Sequence, residues 1–139
     1  MEGKSEELGE KKDTSEIEVR EVKNMIVSHE RDVLGTRMDN DQIKNAVKKV
    51  LISPAHGWEG YVMREFELGE GGYTPRHTHP WPHINYILEG EGSLHLDGQD
   101  FLLEAGSFAF VPGNKLHQFT NTGKGRFAFI CIVPEEGDK

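Results

Sequence analysis

A chain of 139 residues is long enough for one modest hydrophobic core and too short for two. Its 24 acidic residues against 16 basic ones leave a formal net charge of -8, which repels a phosphate backbone, and no basic run interleaved with aromatics offers a groove for nucleic acid. The single cysteine cannot close an internal disulfide, no charged start leads into an apolar signal segment, and no run approaches the roughly eighteen apolar residues of a membrane span. A cytoplasmic protein that contacts neither nucleic acid nor membrane is the expectation.

Residues 1–18 hold Glu6, Glu7, Glu10, Lys11, Lys12, Asp13 and Glu16 with almost nothing to bury, and read as a disordered charged tail. Residues 19–48 read as an N-terminal extension that packs on the main domain or on a partner. A short strand is expected near residues 23–27. Asp39, Asn40 and Asp41 are placed to cap a short helix or turn over residues 42–48, because Ile43, Ala46, Val47 and Val50 have helical spacing. Val50, Leu51 and Ile52 then run together and stop before Pro54, as a strand would, and a competing reading starts that strand at Val47.

From Gly60 onward, short apolar runs alternate with glycine, aspartate, asparagine and proline, the texture of an antiparallel all-β domain. Strands are expected over residues 61–68, 84–88, 93–96, 101–103, 108–111, 118–120 and 126–133. Gly69-Glu70-Gly71-Gly72 reads as a turn, and Asp97-Gly98 as the tip of a tight hairpin. The barrel or sandwich domain is placed at residues 49–134, and residues 135–139 read as a frayed tail.

Three histidines fall within seven residues in His77-Thr78-His79-Pro80-Trp81-Pro82-His83, and His117 follows a second rigid turn, Pro112-Gly113-Asn114. In an extended segment His77 and His79 leave the same face and can reach one point. Pro80 and Pro82 fix the excursion that can return His83 toward that point. Neutral imidazoles suit zinc, iron, copper or nickel, and four of them bring no negative charge, so a bound ion keeps its own. His29, His56 and His95 have no such setting and read as ordinary surface residues.

With these residues in view, the sequence resembles the cupin superfamily, the small double-stranded β-helix or jelly-roll barrel. The first motif of that family, G-x5-H-x-H-x3,4-E-x6-G, is matched by Gly71, His77, His79, His83 and Gly90, except that histidine stands for glutamate at His83. The second, G-x5-P-x-G-x2-H-x3-N, is matched by Gly106, Pro112, His117 and Asn121, with Gly113 one place early. The resemblance implies an all-β double-stranded β-helix with a short N-terminal extension, and one divalent transition ion (Mn, Fe, Zn, Cu or Ni) on His77, His79 and His117. His83 stands as a fourth ligand where many members have a carboxylate. Without that carboxylate, an oxalate-type manganese decarboxylase becomes a poorer match.

Strand alternation offers a lining for the pocket. Phe119 shares the face of His117, and Phe129 and Cys131 share a face of the last strand, which in cupins passes the metal. Tyr86 is a further candidate, Arg64 could anchor a substrate carboxylate, and Trp81 could rim the opening between its prolines. The functional expectation is a metal-dependent oxygenase or related redox enzyme acting on a small organic molecule. A non-redox lyase or isomerase and a non-catalytic ligand-binding or sensing module are the alternatives, and a two-fold homodimer is the expected assembly.

Overall fold

The computed structural model describes residues 20–21 and 25–138, so the tail expected over residues 1–18 lies outside the described residues. Strands β1 (Arg20–Glu21) and β2 (Ile26–Val27) form a small antiparallel ribbon. Nine further strands make one antiparallel sheet: β3 (Thr36–Met38), β4 (Lys44–Ile52), β5 (Tyr61–Tyr73), β6 (His83–Glu89), β7 (Glu91–Leu96), β8 (Gln99–Glu104), β9 (Phe108–Val111), β10 (His117–Asn121) and β11 (Phe127–Pro134). Seven of them follow the order β8-β7-β10-β5-β11-β6-β9, a curled, open half-barrel whose two edges are β8 and β9. The remaining two attach at β5, where β4 pairs with β5 and β3 with β4.

The concave side is apolar because the strands alternate. In β6, His83, Asn85 and Ile87 point inward while Ile84, Tyr86 and Leu88 point out. Central β11 runs between β5 and β6 and buries Phe127, Phe129, Cys131 and Val133. Phe127, Phe129 and Phe119 pack with Ile43, Ala46, Leu68, Ile87 and Leu94 in the main core. Each such large side chain contributes about 1.5–3 kcal/mol through burial. The Asp97-Gly98 hairpin forms as expected: Leu96 pairs with Gln99, and both tip residues have positive φ, 53° and 85°.

Two expectations fail for related reasons. No helix forms over residues 42–48, because that segment is the start of β4. Asn40 does cap a turn, its side chain accepting from the Gln42 and Ile43 N–H groups at 2.8 and 3.2 Å. The pairing of β4 with β5 then shifts register between Lys44 and Ala46, with Asn45 at φ 50°. The left-handed backbone at Asn45 interrupts the alternation, so Ile43 and Ala46, three apart, are both buried and their spacing imitates a helix. The extra residues lie in the facing strand: Gly69-Glu70-Gly71-Gly72 stands opposite Asn45 alone, and is not a turn but a bulged part of β5, which runs on to Tyr73. Its glycines permit close approach: a side chain at Gly69 would strike that of Asn45, and one at Gly72 the Lys44 carbonyl.

Beyond β11 the chain is not frayed up to residue 138. Glu135–Asp138 forms a 3₁₀ turn whose first N–H donates to the Gly60 carbonyl at 2.8 Å.

On the other side of β5, Arg126 draws in carboxylates from three elements. Its guanidinium donates to Glu30 at 2.7 Å, Glu65 at 2.7 Å and Glu67 at 2.9 Å, and also to Glu89. Lys49 adds an ion pair to Glu67 at 3.2 Å. Four carboxylates against two cations is an excess of negative charge, and Glu65 is fully buried. Burial, with Glu30 and Glu67 beside it, pushes the Glu65 carboxyl up to about 8 despite Arg126.

Candidate metal centre

Three stretches of chain bring the histidines together. After β5 the backbone runs extended beside β10, where His77 and His117 exchange backbone hydrogen bonds at 3.2 and 3.1 Å. The Thr74 hydroxyl accepts from the Phe119 N–H at 2.9 Å and fixes the same alignment. The turn before His117 is locked onto the first motif by an Asn114 N–H donating to the His79 carbonyl at 2.7 Å. Gly113 is needed there, since a side chain would run into the Pro80 carbonyl oxygen. His83 enters as the first residue of β6.

The ring nitrogens of His77, His79 and His117 include one from each residue lying within 4.8 Å of the others, a group able to hold a metal ion. His83 lies beside them, its ring 5.0 Å from that of His117 and 5.3 Å from that of His79. Its Nε2 is 3.3 Å from His117 Nε2. His83 and His117 are buried, His79 is half-buried, and His77 stands at the mouth.

Three of the rings are oriented through Nδ1. His79 Nδ1 meets the Trp81 carbonyl at 2.8 Å, His117 Nδ1 the Lys115 carbonyl at 2.9 Å, and His83 Nδ1 the Asn85 Oδ1 at 2.8 Å. Asn85 is held in that sense because its amide donates to the Ile130 carbonyl at 3.4 Å. Each acceptor requires the proton on Nδ1 and leaves a lone pair on Nε2, the arrangement that orients metal-binding imidazoles. Burial, with His117, His79 and Arg64 nearby, lowers His83 to about 3, against the pull of Asn85. Desolvation, with His117 and His79, lowers His77 to about 4, and burial also lowers His117. These rings are therefore neutral at pH 7, as nitrogen ligands must be, and the donor set fits a divalent transition ion.

The histidines face a cavity of about 490 Å³. Of the lining expected from sequence, Phe119, Phe129, Cys131, Trp81 and Arg64 do border it, Trp81 stacking on the His79 ring at 4.9 Å. Tyr86 does not. It is one residue out of phase with His83 and Asn85, half exposed on the outer face beside Phe108 and Phe110. His29, His56 and His95 lie away from the cavity, each bonded to its own local partner.

Several lining residues were not anticipated. Asn85 was legible in principle, being two residues from His83 and so on the same face. Phe66, Lys48 and Asp138 carry no local signal, and Asp138 arrives only because the last 3₁₀ turn folds back. A second group of possible ligand atoms, Glu30, Glu65 and Glu67, is the cluster already occupied by Arg126.

Residues 64–133 match the cupin domain family, and the chain belongs to it. It is 26% identical over 108 residues to 1-methylthio-D-xylulose 5-phosphate methylsulfurylase of Rhodospirillum rubrum, covering 78% of this chain and 69% of that one. It is 32% identical over 73 residues to an oxalate-binding protein of Thermotoga maritima, covering 52% of this chain and 60% of that relative. Among solved structures, the polyketide cyclase RemF of Streptomyces resistomycificus superposes with a TM-score of 0.74 at 29% identity, covering 80% of each chain. Among the described residues, no helix is long and apolar enough to cross a membrane.

Proposed function

We propose that the protein is a metal-dependent enzyme acting on a small organic molecule at one divalent ion held by His77, His79, His83 and His117, with oxygenase or related redox chemistry as its class. The observation that carries this is the pair of Nε2 atoms of His83 and His117, 3.3 Å apart with both Nδ1 protons committed to oxygen acceptors. Two facing lone pairs repel unless a cation lies between them. Two nitrogens at zinc-like distances of about 2.0–2.1 Å from one ion, at a tetrahedral angle, sit roughly 3.3 Å apart.

An ion held there supplies Lewis acidity and, for iron, manganese or copper, redox capacity. The chain's own residues would do the rest. Phe119, Phe129 and Phe66 give the cavity a dry wall that keeps water from reactive species, and Trp81 covers the outer side of His79. The curled sheet fits the double-stranded β-helix that the two motifs imply, with Phe101 and Phe108 lining one shared cavity near its open edges. A ligand-binding module is the second reading. It is favoured by the lack, among the described residues, of a free carboxylate or phenol next to the histidines, and by the oxalate-binding relative.

Elemental analysis of protein purified without a histidine tag, followed by oxygen-uptake assays on small phenols, diketones and thiols, separates the two. Iron, manganese or copper with substrate-dependent uptake supports the enzyme. Zinc alone, with no uptake on any of the panel, removes the redox reading.

A further inference from the structure

Among the described residues, the charged side chains lining the histidine cavity are Lys48, Arg64 and Asp138. Lys48 comes from β4 and Arg64 from β5, and both are largely buried, with 21% and 12% of their side chains exposed. Bringing two cations into one apolar chamber is unfavourable unless an anion joins them. Asp138 is that anion here. Its Oδ1 lies 2.8 Å from Lys48 Nζ and 3.5 Å from Arg64 Nη1.

The three partners are not equally fixed. Arg64 is held by Phe66, whose ring lies 5.0 Å beneath the guanidinium, and by an Nη2–H donated to Cys131 Sγ at 3.0 Å. Its Nε, also buried, has no hydrogen-bond partner among the described residues, and Asp138 Oδ1, although within ion-pair distance of both cations, makes no hydrogen bond to them. Asp138 sits on a single 3₁₀ turn of four residues, tied back through the Glu135 N–H and packed through Gly137 against the Trp81 indole. The cations thus belong to the sheet, and the anion to a four-residue turn that follows its last strand.

We propose that Lys48 and Arg64 form a carboxylate-binding subsite beside the histidine centre, in which Asp138 is a built-in occupant that the carboxylate of the small-molecule ligand displaces. This rests on reading the cavity as the ligand chamber of the histidine centre. The guanidinium, with Nε unpaired and Nη1 in only long contact, offers an edge that a carboxylate can take in bidentate fashion, which Asp138 does not do. The ligand class is therefore a small organic acid whose carboxylate reaches Lys48 and Arg64 while the rest of the molecule lies toward the histidines. Displacement swings the 3₁₀ turn off Trp81 and opens the cavity on that side.

The test is calorimetric titration with malonate, and with neutral malonamide as control, of metal-supplemented and metal-free protein, with metal content measured for every sample. Malonate should bind and malonamide should not. Asp138→Asn should tighten malonate binding about tenfold, the factor expected if Asp138 holds the cations about nine-tenths of the time. Lys48→Gln and Arg64→Gln should each weaken it about tenfold or more. If Arg64→Gln does not fold, Lys48→Gln and Asp138→Asn carry the test alone. Malonate affinity within twofold of the parent in Asp138→Asn overturns the proposal, as does unchanged affinity in Lys48→Gln or no malonate binding to either parent or Asp138→Asn. Loss of metal with this malonate pattern intact would count against the metal centre alone, and one ion per chain without the pattern would count against the subsite alone.

Discussion

Replacing Asn85 by leucine tests whether His83 belongs to the metal site or merely lies near it. Leucine keeps the branched four-atom shape of the buried side chain, with somewhat greater bulk, but removes the oxygen that accepts from His83 Nδ1 at 2.8 Å and the amide that donates to Ile130. In the metal-free protein a buried N–H left without an acceptor costs about 1–3 kcal/mol. The ring has one escape, which is to carry its proton on Nε2 and donate to His117 Nε2, 3.3 Å away. That hydrogen bond would occupy two of the four lone pairs that the proposed site offers an ion. Loss of such an orienting partner typically lowers metal affinity about 10–100-fold, equivalent to about 1.4–2.8 kcal/mol of binding. Titration of zinc or manganese against a competing chelator at pH 7.5 reads the affinity, and a thermal melt of the metal-free protein reads the fold. A lowered melting temperature with unchanged metal affinity would refute the reasoning, because Asn85 would then serve the core alone.

Glu65 supplies a pH signature independent of the cavity. Its carboxyl titrates at about 8 in the folded protein against 4.5 as its ordinary value, so the folded state binds the extra proton between those limits. Its contribution to stability is thus full below about pH 4.5 and is lost as pH rises through 8. The melting temperature should fall across that window, and Glu65→Gln should flatten the slope; a slope unchanged by the substitution would assign it to other groups. The outer face of β6 and β9 leaves Phe108 80%, Phe110 61% and Tyr86 50% exposed, an apolar patch where the homodimer expected from sequence would place its interface. Phe110→Lys should convert a dimer to a monomer by light scattering, and a monomeric parent protein would count against this face as an interface.

The parts of the site that were legible in the sequence obey local rules. His77 and His79 share a face because they are two apart in an extended segment, and proline and glycine at the two turns announce rigid backbone. The parts that were not legible depend on register. The left-handed backbone at Asn45 makes Ile43 and Ala46 look helical, and the bulged glycines of β5 look like a turn until β4 is seen lying against them. Strict alternation outward from His83 puts Asn85 on the inner face and Tyr86 on the outer one, so the phase of β6, and not the aromatic character of Tyr86, decides which of them faces the cavity. Asp138 lies beyond such rules, since its place is set by how a turn after the last strand packs on Trp81.

Anomalous diffraction from crystals of untagged, metal-supplemented protein, collected at the absorption edge of the added ion, bears most directly on the whole reading. One strong peak within bonding distance of the Nε2 atoms of His77, His79, His83 and His117, with each Nδ1 of His79, His83 and His117 still on its oxygen acceptor, is the expected result. A centre without a peak, or a peak from which the His83 ring has turned away, would contradict it.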